Sequence, residues 1–243
     1  MKTWLIAVVL GFAAVASVVG VGCGGDGEEG PSATATPVDR ATLEDMLSSM
    51  IITVEDLPAG FALEDPGEQF TDNEEAAEVD PTGQLATLSR LEEWGRLLGY
   101  RAAYMTNDPV GTYMQGGIAT ITVSVSIFET AEGAETSLEW GRGVANDPAQ
   151  AATMVPGVLT LETEPMSFPS VGDEMLAGKY TGTIRPQGMD VEIDVDFVAH
   201  VVAFRQDRVV AQLLVSAIGG AEPGEEVEDL ARLMEERIAE VLE

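Results

Sequence analysis

The sequence predicts an α+β fold, a twisted and mostly antiparallel sheet covered by helices. Three observations carry this. Ala119, Ile121, Val123, Val125 and Ile127 alternate with Thr120, Thr122, Ser124 and Ser126, the cleanest period-two run in the chain. It reads as a strand with one buried and one polar face. Two later runs, Val198–Phe204 and Val209–Ile218, are apolar almost throughout. Strands of that kind lie centrally, with both faces covered. Segments with apolar residues at steps of three and four stand between and after the strands. They are the helices that such a sheet needs as cover.

The elements come in order along the chain. Thr42 can cap a short helix running to about Met50, with Asp45 placed for a capping box. Ile51-Ile52-Thr53-Val54 is β-branched, and Glu55 to Phe61 turns the chain. Four Asp-Pro pairs (Asp65-Pro66, Asp80-Pro81, Asp108-Pro109 and Asp147-Pro148) punctuate the chain further on, each disfavouring helix before its proline. Asp72 to Glu78 is an acidic surface stretch compatible with helix. Leu85, Leu88, Leu91, Trp94 and Leu98 then predict an amphipathic helix ending at Gly99. Tyr100–Thr106 is a short strand, and after the alternating strand a helix starts at Thr130.

The C-terminal half reads as a meander. Met175–Ile184 is a strand, Arg185 to Gly188 a turn, and Val191–Phe204 a second strand. Arg205 to Arg208 turns again into Val209–Ile218. A final helix has Val227, Leu230, Ala231, Met234, Ile238, Val241 and Leu242 on one stripe, with an acidic first turn that suits its dipole. The echo between Leu91-Glu92-Glu93-Trp94-Gly95-Arg96 and Leu138-Glu139-Trp140-Gly141-Arg142 suggests two half-repeats of strands plus helix.

Charge restricts the function classes. Among 243 residues, 12 Lys and Arg face 42 Asp and Glu, a formal net charge of −30. Without clustered cations there is no counterion release at a phosphate backbone, so nucleic acid is excluded as a partner. Electrostatic docking to an anionic bilayer fails for the same reason. The acidic surface favours a neutral or basic partner and association that weakens with salt. A single Cys excludes an internal disulfide and a thiolate zinc cluster, and a single His excludes a site with several histidine ligands. No metal or cofactor is implied.

The N-terminus supplies an address. Met1-Lys2 is basic, Thr3 to Gly22 is uncharged and mostly apolar, and Cys23 stands at the boundary of the first acidic segment. This is the pattern of a secretory signal over residues 1–22. Val21-Gly22-Cys23 resembles the lipobox of bacterial lipoproteins, which implies acylation of Cys23. Gly20 departs from the larger apolar residue usual at that position. An uncleaved anchor helix and plain secretion are the alternatives, and all three place the rest of the chain outside the cytoplasm. Gly20-Val21-Gly22-Cys23-Gly24-Gly25 satisfies the dinucleotide fingerprint by letter. It lacks the strand before and helix after that the fingerprint requires. The stretch after Cys23, residues 24–39, is small, polar and aperiodic, a tether of roughly 20–25 Å. Residues 40–243 are expected to form a single extracytoplasmic domain.

Candidate chemistry is sparse. Asp190, Glu192, Asp194 and Asp196 lie on alternate strand positions about 6.6–6.8 Å apart, too far for neighbours to share one Ca²⁺ unaided. They read as a solvated face that discourages edge pairing. His200 sits in an apolar strand with no nucleophile elbow anywhere in the chain, and reads as a packed residue. A hydrolase using His200 is the less favoured alternative. Asp173, after a glycine turn, reads as turn chemistry. Trp94, Tyr100, Tyr104 and Trp140 are the candidate lining of an apolar pocket between sheet and helix.

Residues 40–243 loosely resemble extracytoplasmic lipoprotein domains of high-GC bacteria through Val54-Glu55-Asp56-Leu57-Pro58-Ala59-Gly60-Phe61, the Val171-Gly172-Asp173-Glu174 turn and the closing apolar hairpin plus helix. Some of these features are similar to the PsbP-like α/β/α sandwich. The resemblance implies an envelope protein and carries no catalytic residue. The expectation is a lipid-anchored extracytoplasmic binding protein, not an enzyme. Its ligand is an apolar small molecule or lipid, or an envelope protein partner. A non-binding structural lipoprotein is the alternative.

Overall fold

The computed structural model describes residues 38–78, 87–147, 158–185 and 194–243. The signal segment, Cys23, most of the tether, Asp80-Pro81, Leu85, Asp190 and Glu192 lie outside them. Among the described residues, seven strands form one open sheet: β1 Phe61–Thr71, β2 Arg96–Thr106, β3 Gly117–Phe128, β4 Val158–Pro165, β5 Glu174–Ile184, β6 Val195–Gln206 and β7 Val209–Ile218. Their order is β1-β2-β3-β7-β6-β5-β4, and every neighbouring pair is antiparallel. The doubly apolar strands β6 and β7 are interior, as their sequences require. The fold is α+β.

The described helices are α1 Arg40–Met50, α2 Asn73–Glu78, α3 Leu88–Glu93, α4 Pro109–Gln115, α5 Ala131–Ala145 and α6 Glu225–Leu242. On one side of the sheet, α1 and α6 bury Leu47, Met50, Val227, Ala231, Met234 and Ile238 against Ile121, Val123, Leu213 and Val215. On the other side, α5 packs over β3, β5, β6 and β7. Val144 there joins Tyr180, Phe197, Val201 and Leu214, while Ala134 joins Leu91 of α3, Trp94 just after it and Phe128 at the end of β3. The chain does divide into β1–β3 plus α5 and β4–β7 plus α6. The two helices lie on opposite sides of the sheet, so the halves are not two copies of one packing unit.

Several elements differ from the sequence expectation, each for a local reason. Asp108-Pro109 starts a helix: Asp108 caps α4 by accepting from the Gly111 N–H at 2.9 Å, and proline suits a first helical turn. Asp65-Pro66 lies within β1, an edge strand whose register shifts between Leu63 and Glu68. A bulged edge is where a sheet accepts proline. The amphipathic run ends at Trp94, because Gly95 at φ +67° turns the chain into β2. Leu98 matches the helical step, yet it is a strand residue sharing a face with Tyr100, Ala102 and Tyr104. Asp39, not Thr42, caps α1, and the capping box falls on Thr53 and Asp56. The strand β4 occupies a stretch to which the sequence reading assigns no element.

Candidate functional site

The four candidate pocket residues fall into two groups on opposite sides of β2. Trp94 and Trp140 meet on the α5 side with ring centroids 5.4 Å apart, and the Arg90 guanidinium lies 6.0 and 5.7 Å from the two rings. Tyr100 and Tyr104 point into the α1/α6 core. Tyr100 stacks on Phe70 at 4.3 Å, and Tyr104 donates its hydroxyl to the Ile52 carbonyl at 2.7 Å. Burial pushes the Tyr100 phenol up to about 12, helped by Glu68. These four side chains do not converge on one cavity.

The polar candidates have structural employment. Asp173 accepts from Arg205 Nη1 at 3.0 Å and from the Asp207 N–H at 2.8 Å, holding the β6–β7 turn where Asp207 takes φ 51°. Gly172 before it has φ +66°, and a Cβ there would collide with the Arg205 carbonyl oxygen. Asp56, from the Val54–Phe61 motif, accepts two bonds from Arg237 of α6 at 2.9 and 2.8 Å and one from the Thr53 N–H at 2.6 Å. Arg237 also donates to the Ile51 carbonyl at 2.5 Å. That motif therefore clips the start of the domain to its last helix. Asp194 pairs with Arg185, and Asp196 accepts from Thr183 at 2.9 Å. Among the described residues no group of three or more acidic, His or Cys side chains could hold a metal ion.

His200 is 8% exposed, and its Nε2 has no hydrogen-bond partner. Burial lowers its pKa, with Glu222 pulling the other way and Lys179 adding to the lowering. The adjacent Lys179 is engaged with Glu222 at 2.6 Å. No general-base dyad forms at that ring nitrogen.

The arrangement with chemical potential lies on the α5 side of β2, β3 and β7. Cross-strand register places Arg101 opposite Ser124 and Ser124 opposite Gln212. Two residues along the strands, Thr122 pairs with Leu214, and two further on Thr120 pairs with Ser216. All of these project to one side, since alternate residues share a face. This is the polar face of the alternating strand, and it is not a solvated one: Thr122 and Ser216 are each 7% exposed. Thr120 Oγ1, Ser216 Oγ and Arg101 Nε are buried without a hydrogen-bond partner. Buried polar atoms normally find partners, and each one left alone costs about 1–3 kcal/mol. Thr120 Oγ1 and Ser216 Oγ share one cross-strand row, and Arg101 Nε lies on the same face two rows away, so this face carries unmet hydrogen-bonding capacity at both ends.

The alternation in β3 marks Thr120, Thr122 and Ser124 as a polar face but does not show that the face is covered. Nothing in that pattern singles out Arg101, Gln212 or Ser216. A polar residue set in an otherwise apolar central strand, as Gln212 and Ser216 are in β7, is the signal that could have found them. A second residue missed on sequence is Arg96, 9% exposed, which donates to Ser126, Asn73 and both oxygens of Thr71 at 3.0–3.1 Å. Burial holds its pKa down at about 10. Its bonds tie β1 and α2 to β2 and β3, a structural task.

No helix among the described residues is long and apolar enough to cross a membrane. No protein-family model matches the chain, and no curated protein matches its sequence. Two solved structures are similar to it at a distance. The extracellular domain of PknH from Mycobacterium tuberculosis is 10% identical, with a TM-score of 0.46 over 84% of this chain and 98% of that one. LpqN, involved in cell envelope biogenesis of Mycobacterium tuberculosis, is 15% identical, with a TM-score of 0.25 over 74% of this chain and 78% of that one.

Proposed function

We propose that the chain is an extracytoplasmic binding protein, tethered to the membrane through an acylated Cys23, whose ligand is held on the α5 side of the sheet. The address rests on the basic, apolar and small-residue pattern ending at Cys23 and on the polar tether after it. The binding function rests on one observation, the partnerless buried hydroxyls of Thr120 and Ser216 on the sheet face that also carries Arg101. An apolar ligand would leave those groups unsatisfied, so the ligand brings hydrogen-bonding atoms of its own.

The test is native mass spectrometry of the full chain, extracted gently from the envelope, in wild-type form and as Thr120→Val/Ser216→Ala. The wild type should carry an extra mass of a few hundred daltons that leaves on denaturation. The double variant should lose that mass, and it should melt no lower than wild-type protein stripped of ligand, because partnerless hydroxyls give the empty fold nothing. A bare wild-type mass would move the protein to a structural or partner-binding role. Cys23→Ser should release the protein from the membrane fraction and abolish incorporation of a clickable palmitate. Retained labelling would remove Cys23 as the anchor.

A further inference from the structure

We propose that Arg101 is the anion-receiving group of this site, and that the ligand is a small hydroxyl-bearing acid or phosphate. The inference rests on the reading of the α5 side as a ligand site and names the chemistry of its occupant. In a chain where acids outnumber bases by 42 to 12, a cation finds a carboxylate easily. Arg237 holds Asp56, Arg205 holds Asp173, Arg232 holds Glu228 and Arg40 holds Glu44. Arg101 is only partly exposed, and its Nε is buried with no partner.

A buried Nε–H left unbonded is costly, and the planar guanidinium fork that carries it matches carboxylate and phosphate oxygens. The neighbouring acid is Glu64, at the irregular part of β1, which acts on Arg101 electrostatically without a hydrogen bond. From Arg101 the row continues through Ser124, Thr122 and the Thr120–Ser216 pair. At about 3.3 Å per residue this is a track of roughly 13 Å. A cation at one end and hydroxyls along it fit an anion that carries hydroxyl groups, and fit a hydrocarbon chain poorly.

The experiment is an NMR titration of full-chain protein labelled with ¹⁵N-arginine, with calorimetry alongside. The probes are inorganic phosphate, glucose 6-phosphate and glucose, with ionic strength held constant by NaCl. The Arg101 Nε–H signal should shift saturably with phosphate, at least tenfold tighter with glucose 6-phosphate, and weakly with glucose. Glu64→Gln removes the competing negative charge and should tighten phosphate binding several-fold. Arg101→Gln assigns the shifting signal by its loss and should abolish binding by calorimetry, while the other arginine signals keep their positions. A flat or linear response in the wild type, or one unchanged in Glu64→Gln, overturns the proposal. If a co-purifying mass persists in Arg101→Gln, the site stands and the anion assignment falls. If the wild type shows neither mass nor shift, both fall.

Discussion

Replacing Arg237 by Met tests whether the Val54–Phe61 motif is a structural clip between the first turn of the domain and α6. The change keeps the aliphatic stem and removes two bonds to Asp56 and one to the Ile51 carbonyl. Charge-assisted bonds of this kind contribute about 1.5–3 kcal/mol each when buried. Here the pair keeps 26% and 17% side-chain exposure, so solvent screening reduces the sum. Asp56 also retains its bonds from Thr53. The expected loss is about 2 kcal/mol, which lowers a urea midpoint by about 1 M at an m-value near 2 kcal/mol/M.

The same clip sets a pH dependence. Burial by itself would raise the Asp56 carboxyl, but the hydrogen bonds from Arg237 and Thr53 overrule it and hold the pKa below its ordinary value. The stabilisation is therefore complete above the unfolded carboxylate value of about 3.9 and is lost as pH falls through the lower native one. Urea melts of wild type, Arg237→Met, Asp56→Asn and the double variant, at pH 7 and at pH 3, measure it. A midpoint for Arg237→Met within about 0.2 M of wild type at pH 7 (roughly 0.4 kcal/mol at that m-value) would show that the clip contributes nothing. Additive single losses would be equally damaging, since groups in contact must couple.

The packing makes two further predictions. Gly133→Ala drives a Cβ into the Trp94 carbonyl oxygen, whereas Gly143→Ala on the same helix meets nothing within 4 Å. Thermal melts should show Gly133→Ala lower by several degrees, from about 1–3 kcal/mol of overpacking, and Gly143→Ala unchanged or higher. Equal melting temperatures would contradict the close seating of α5 on the turn after α3. His200, the single histidine, should titrate by NMR below 6.5, because burial outweighs Glu222. Its share of stability is complete above the unfolded value of about 6.5 and lost as pH falls through the native one. A titration at or above 6.5 would contradict its burial.

Most strands and the main helices are legible in the sequence because their periodicities are local. β3, β5, β6, β7, α5 and α6 follow from alternation or a three-four step with little help from context. The failures lie where two local signals share one pattern. Asp-Pro reads as a break, yet in Asp108-Pro109 it is a cap and first turn. In Asp65-Pro66 it sits on a bulged strand that has no outer neighbour among the described residues. Leu98 satisfies a helical step from Trp94 while belonging to the strand that follows Gly95. No property of those residues alone separates the alternatives.

Residue order was enough for the α+β class and for the strongly acidic balance of the chain. It was also enough to put the apolar strands inside the sheet. Which faces meet is a different matter, and only the folded chain settles it. Folding places Trp94 with Trp140 on one side of β2 and Tyr100 and Tyr104 on the other. It turns Asp173 and Asp56 into clips between segments far apart in sequence, and it sets Thr120 opposite Ser216. The physical reason is that strand order is a non-local choice. β3 ends at Phe128 and β7 begins at Val209, with α5 and three strands between them, yet the two pair along nearly their whole length. Alternation fixes which residues share a face, but pairing fixes which hydroxyls and which guanidinium share a site.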